Sequence, residues 1–476
     1  MGCLRNNMYF TRYLHQSLLS GVPHRIRRYT DTPAHRHVSA APWVLTVLLL
    51  TFYLSGCSIL QNHSTHGSHD HAFIEYWPSP RNSSQLRLAV KDNIDVKGVV
   101  TSAGSEYVWK TNPPASTDAE CLAIARRRNV RIVGKTNLSE FAVAPSGLND
   151  YFGTPKNPLS RRHRLIPGGS SSGSAVAVAT GSADVAFGTD TAGSVRVPAA
   201  CCGVVGLKTT FGLISTKGLF PVEPMHLDTV GPIGKDVAHV VQGMDLLQDG
   251  FTAKYRKAVA AKPSARKIRV GRLYLDGTDP LIDKAVDSSL AQGGFQVVRL
   301  DQGFKKMWDE AKTDGNTVAA AGAWISDRAY QYKSGVRIRT MSVIVLGRVL
   351  YPTRYHAALR RRAHWQHALR QIFKKVDFIA LPTLQGLPPR IPSIGKIAFL
   401  EARVLIMQNT AAVNFAGNPA LAIPIPVQDK YVPLTSLQLV GPRFSEAALL
   451  NVGRLIEAER SHLGGQITAS KPGSKQ

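Results

Sequence analysis

PGGSSSGSAVAVATGSADVAFGTDTAGSVRVP, residues 167–198, is the stretch around which the rest of the chain is organised. Two glycine- and serine-rich turns, GGSSSGSA at 168–175 and GTDTAGS at 188–194, flank a small-residue helix at 174–180 and a short apolar strand at 183–187. Glycine allows conformations closed to other residues and lets backbone pass close to a ligand; the serines supply hydroxyls. A lone GGSSSG reads as a linker. Here AVAVA and ADVAF are apolar, so the turns punctuate a packed core. Neither turn follows the phosphate-cradle patterns G-x-x-x-x-G-K-[ST] or G-x-G-x-x-G.

These residues resemble the amidase signature family, whose core carries GGSSGGSA and then GTDxGGSxRxPA. The similarity continues through CGVVGLKTT at 202–210, DTVGP at 228–232, AVKDN at 89–93, NFAGNPA at 414–420 and LQLVGPRFSE at 437–446. It runs from about residue 86 to 457, most of the chain. The resemblance implies an α/β fold: one catalytic domain, over 86–464, built on a large mixed β-sheet covered by helices on both faces. A mature chain offering only residues 58–90 ahead of the lysine would have the family's longer helical section there truncated.

The same resemblance implies the chemistry. Ser194 corresponds to the nucleophile, Ser170 to a bridging serine after a cis peptide bond, and Lys91 to the base. The backbone N–H groups of Thr191, Ala192, Gly193 and Ser194 correspond to the oxyanion hole. Ser171, Asp190 and Arg196 correspond to supports that hold the two turns. A Ser–Lys pairing is a variant of triad logic. Its lysine must be neutral, so a reference pKa of ~10.4 has to fall, as burial can make it do. Lys91 ends an apolar strand, a setting suited to a desolvated amine. Ala192 stands where the family has glycine, and a methyl group there bars glycine-only conformations. Ser172 and Thr209 replace a family glycine and proline. This chemistry calls for no cofactor and no metal.

Length and composition agree with a globular protein: 476 residues, 44% hydrophobic and 19% charged. The formal charge of +26 favours acidic surfaces. No nucleic-acid module accompanies it, so the reading is a solvated basic face or contact with a membrane surface, and no nucleic-acid partner. Of the five cysteines, Cys201 and Cys202 sit in an apolar run and read as core residues. No spacing suggests zinc or a disulfide framework.

The N-terminal segment, 1–56, carries a basic flank and then WVLTVLLLTFYL at 43–54, followed by Ser55, Gly56 and Cys57. The apolar run is short of the ~20 residues that span a bilayer. A basic flank, short apolar region and small residues read as a secretion signal. LSGC at 54–57 resembles the lipobox of bacterial lipoproteins, which makes Cys57 the expected lipid attachment site. The partners implied are a membrane, through that anchor, and a small-molecule amide substrate; the location implied is the cell envelope. An uncleaved anchor helix over 38–60 is the alternative. Residues 57–85 read as a flexible tether with His63, His66, His69 and His71, a tract of a kind that can also bind metal. Residues 465–476 read as a disordered tail. The sequence leaves the oligomeric state open.

Along the body, strands are expected at 86–90, 130–134, 268–273, 295–300, 378–381, 420–426 and 434–440. Helices are expected at 117–127, from about 281, and at 445–459. The alternation is an α/β pattern. The basic run 354–370, with Arg360, Arg361 and Arg362, reads as an exposed helix face. Three functions fit: an envelope-anchored amidase acting on linear C–N bonds, a glutaminase subunit of a tRNA amidotransferase, and an inactive binding protein of the same fold. Intact Lys91, Ser170 and Ser194 argue against the last.

Overall fold

Residues 69–78, 84–159, 164–392 and 397–469 are described in the computed structural model. The expected signal segment, Cys57, His63 and His66 lie outside them. The strands are β1 Phe73–Tyr76, β2 Arg87–Lys91, β3 Arg131–Thr136, β4 Val185–Asp190, β5 Val205–Lys208, β6 Thr229–Gly234, β7 Arg269–Arg272, β8 Gln296–Arg299, β9 Phe378–Pro382, β10 Ala420–Pro426 and β11 Leu434–Val440. Among the described residues they form one sheet in the order β1-β3-β2-β4-β6-β5-β10-β11-β9-β7-β8. Strand β2 runs parallel to β3 and β4, and β7 parallel to β8 and β9; the remaining pairs are antiparallel. The expected large mixed sheet is therefore present.

Side chains alternate across a strand, and here both faces are covered. Leu88 and Val90 of β2 and Val185 and Phe187 of β4 enter one core, with Val240 and Met244 of α3 (Val237–Leu247) and Leu449 and Leu450 of α6 (Glu446–Ala469). Ala89 and Ala186 face the other way, onto Val176 of α1 (Ser172–Ala179) and Val197 of α2 (Arg196–Cys202). Further along that face, Ile379 and Leu381 of β9 pack with Trp308 of α4 (Gln302–Asp327) and Trp365 of α5 (His356–Lys375). Burial on both sides explains why strands such as β10, ALAIPIP, read as nearly continuous apolar runs.

Helix α1 is built from small residues because it lies against backbone. A Cβ on Gly173 would stand 2.2 Å from the Ala72 carbonyl oxygen and 2.5 Å from the Asn137 nitrogen. Gly173→Ala gains at most about 1 kcal/mol of helix propensity, whereas overpacking costs about 1–3 kcal/mol. The expected result is a lower Tm in a thermal scan, although alanine is the better helix former.

Three expectations need correction. The tether is not wholly a spacer: Phe73–Tyr76 pairs antiparallel with β3 as the sheet's edge strand, because Phe73 and Ile74 supply apolar side chains that the sheet buries. His69 packs on the Tyr76 ring at 4.0 Å between centroids, and the His71 carbonyl accepts from Asn137 Nδ2 at 3.0 Å. The closing helix runs to Ala469, so residues 465–469 of the expected tail are helical. Of the basic run, Arg362 does not simply face solvent: its guanidinium donates to the Phe415 and His226 carbonyls at 2.7 and 2.9 Å. Cys201 and Cys202 are buried free thiols, and burial pushes Cys201 up to about 12.

Candidate active site

Lys91 and Asp190 close parallel neighbours β2 and β4 at their carboxyl ends, the region where open α/β sheets place their ligands. Lys91 points to the α1 face, as Ala89 does. Its amine donates to Ser170 Oγ at 2.7 Å and to Thr189 Oγ1 at 2.8 Å. The side chain is fully buried, and desolvation lowers its pKa to about 7 although the charges of Asp190 and Asp228 oppose the shift.

The residues after Lys91 are pinned individually. Asp92 pairs with buried Lys135 at 2.9 Å and accepts from Ser102. Asn93 Nδ2 donates to Thr189 Oγ1 at 3.1 Å and to the Phe220 carbonyl at 3.3 Å. The lysine thus stands on a rigid corner rather than a loose strand end.

Ser170 follows a cis Gly169–Ser170 peptide. Its turn is fixed by backbone bonds: Gly168 N–H to the Ser146 carbonyl at 3.1 Å, Gly169 N–H to Pro145 at 2.7 Å, and Ser139 N–H to the Ser170 carbonyl at 3.2 Å. Ser171 ties this turn to the second. Its N–H donates to the Ser194 carbonyl at 3.2 Å and its hydroxyl to the Thr189 carbonyl at 3.3 Å.

The second turn hangs from the Asp190–Arg196 pair. Both side chains are fully buried and joined twice, Nη2 to Oδ1 at 2.9 Å and Nε to Oδ2 at 3.1 Å. Asp190 Oδ2 also accepts the Val195 N–H at 3.1 Å. Burial would raise the Asp190 carboxyl, but the Arg196 charge and hydrogen bonds, with Lys208 and Asn414, hold it well below the usual carboxylate range. Arg196 reaches on to Gln438 Oε1 at 2.6 Å and to Asn414 Oδ1.

The backbone N–H groups of Thr191, Ala192, Gly193 and Ser194 have no acceptor among the described residues. Four consecutive open donors beside a half-buried serine are groups of the kind that meet a developing negative charge. Gly193 has φ +141°, and a Cβ there would lie 2.2 Å from Thr410 Oγ1. Ala192 is not among the non-glycine residues with positive φ. Its methyl group therefore does not conflict with the turn's backbone, contrary to what the loss of a family glycine suggests. Ser172 likewise sits in ordinary helix at the start of α1.

Lys91 and Ser170 are in direct contact; the residue after Ser170, Ser171, bonds to the Ser194 carbonyl, and no hydrogen bond joins the Ser170 and Ser194 hydroxyls. Catalytic bonds often close only around substrate. Several partners escaped the sequence reading. Thr191 Oγ1 donates to Asp228 Oδ1 at 2.6 Å, Asn414 Nδ2 to Asp190 Oδ1 at 2.8 Å, and Thr410 Oγ1 to the Ala192 carbonyl. Asn93, Thr189, Asp228, Asn414 and Gln438 lie inside family-like stretches, which was their signal. Thr410 lies outside any motif.

Comparison with known proteins gives the family. The Amidase family model matches residues 86–450. The chain is 35% identical over 390 residues to 2-amino-5-chloromuconic acid deaminase of Comamonas testosteroni, covering 78% of this chain and 81% of that one. It is 32% identical over 412 residues to a glutamyl-tRNA(Gln) amidotransferase subunit of Halobacterium salinarum, covering 78% and 94%. Among solved structures, the corresponding glutamyl-tRNA(Gln) amidotransferase subunit of Thermotoga maritima superposes with a TM-score of 0.68 at 25% identity, over 87% of this chain and 90% of that one. The chain belongs to the amidase family, enzymes that hydrolyse carbon–nitrogen bonds.

Proposed function

We propose that this enzyme hydrolyses a linear carboxamide through an acyl-enzyme, using Ser194, Ser170 and Lys91, while anchored in a cell envelope through Cys57. The observation that carries the chemistry is Lys91: a fully buried amine with a pKa of about 7, 2.7 Å from Ser170 Oγ. Neutral Lys91 takes the Ser170 proton as Ser170 takes that of Ser194. The Ser194 oxygen bonds to the carbonyl carbon, and the resulting oxyanion is met by the open N–H groups of the 191–194 turn. The C–N bond then breaks, the amine leaving with the proton returned through Ser170. Water repeats the sequence on the ester, releasing the acid and restoring Ser194.

A serine-directed fluorophosphonate probe tests the assignment. Wild type is expected to label and Ser194→Ala is not. Equal labelling of the two would refute an active Ser194.

The anchor reading is supported by LSGC at 54–57 behind its apolar run. Among the described residues no helix is long and apolar enough to cross a membrane. Radiolabelled fatty acid should enter the wild-type protein and not Cys57→Ala. A chain that keeps residues 1–56 and carries no acyl group would favour the second reading, a component of a tRNA amidotransferase, which its similarity to the Halobacterium salinarum protein supports.

A further inference from the structure

Asp327, the last residue of α4, is 1% exposed, yet neither carboxylate oxygen has a hydrogen-bond partner. Among the described residues no lysine, arginine or histidine pairs with it. The charged groups that act on it are acids, Asp228 and Glu140. Glu140 is itself buried, its Oε2 already taken by the Arg337 N–H and the Thr340 hydroxyl. Buried carboxylates without donors are unfavourable, and like charges worsen the case.

The turn that follows it, Arg328–Tyr330, brings an aromatic group with it. Phe141, Phe220 and Tyr330 lie with ring centroids 5.1–5.7 Å apart; burial first, and the Asp327 charge after it, raise the Tyr330 hydroxyl above its ordinary value. Unpartnered acceptors beside aromatic faces are the chemistry that receives an ammonium group: three N–H donors for the oxygens, and a charge attracted to the rings.

Hydrogen bonds connect both parts to the catalytic corner: Ser326, next to Asp327, donates to the Val222 carbonyl, and the Val222 N–H donates to Asp228. Asp228 holds Thr191 of the oxyanion turn. Phe220 is linked by Asn93 to Thr189, which accepts from Lys91. The residues that follow Asp327, Arg328–Tyr330, form a single turn with no buried residue, so the carboxylate lies one turn from solvent.

We propose that the substrate is an amide bearing a protonated amine, and that Asp327, with Phe141, Phe220 and Tyr330, receives that ammonium. The proposal deepens the amidase reading and rests on it for the reaction, although the ammonium site itself can be measured without turnover. Asp327→Asn keeps the shape and removes the charge. Calorimetry with pentylammonium and pentan-1-ol on the full chain should show at least tenfold tighter binding of the ammonium to wild type, a preference reduced to near one in Asp327→Asn. Tyr330→Leu, which keeps the carboxylate, should lose part of the preference and serves if Asp327→Asn does not fold. In turnover, kcat/KM for 5-aminopentanamide over pentanamide should favour the charged amide at least tenfold in wild type, the ratio falling through KM in Asp327→Asn.

Equal binding of the two probes, no binding of either, or a preference that survives in Asp327→Asn overturns the subsite. Hydrolysis without charge preference sinks the subsite and leaves the amidase reading standing. An ammonium preference with neither amide hydrolysed sinks the linear-amidase reading and leaves the subsite.

Discussion

Lys91→Met is expected to lower kcat for amide hydrolysis by about 10²–10⁴-fold, the range of a positioned general base, while the protein stays folded. Methionine fills the volume of the lysine stem and removes an amine that burial disfavours as a charge. The wild-type pH profile should carry the same group: below about 7 the amine is protonated and cannot accept a proton, so log kcat/KM should rise with pH and level off above that value. Stability follows with a defined sign. The folded-state value lies below the unfolded one of 10.5, so between about 7 and 10.5 the unfolded chain binds a proton that the folded chain does not. Stability contributed by this site therefore rises with pH across that window. Lys208, also buried and lowered to about 7 by desolvation, adds a slope of the same sign. Lys91→Met should remove its own share and leave that of Lys208. A variant that hydrolyses amide at the wild-type rate, or a profile flat from pH 5 to 9, would remove Lys91 from the chemistry.

Asp190→Ala is expected to be the most destabilising single change at the site. It leaves Arg196 charged and fully buried with its carboxylate gone, and breaking a buried pair this way costs about 3–5 kcal/mol. The thermal midpoint should fall by about 3–6 °C. Asp190→Ala combined with Arg196→Met should recover part of the loss, because the penalty comes from the orphaned charge more than from missing packing. Recovery will be incomplete, since Gln438 and Asn414 then lose their guanidinium partner. The Asp190 carboxyl is held low, so its contribution is present above its unfolded value and is lost only as pH falls toward its folded one. Between pH 5 and 9 it adds no slope, which keeps its effect separable from that of Lys91. Equal midpoints for Asp190→Ala and wild type would show that the pair does not hold the turn.

Much of this was legible in local pattern. Strands β10 and β11 have the bounds their apolar runs predict, because a strand buried on both faces advertises itself by continuous hydrophobicity. The expected helix at 117–127 is instead a 3-10 turn, Glu120–Leu122, leading into a short helix, Ala123–Arg127. Periodicity alone does not separate the two. Edge strand β1 was hidden for a related reason: four residues in a polar, histidine-containing stretch carry too little pattern to show that a sheet edge awaits them.

The sequence by itself determined which residues carry hydroxyls and an amine, and that two glycine-rich turns would bring backbone close to a ligand. Those are local matters, set by side-chain type and allowed φ/ψ. Only the tertiary structure decided that Lys91 is stripped of water, that Arg196 is met by Gln438 from 242 positions away, and that Asp327 ends α4 buried with no donor of its own. Desolvation and Coulomb forces depend on what surrounds a group in space, and no stretch of chain contains its own surroundings.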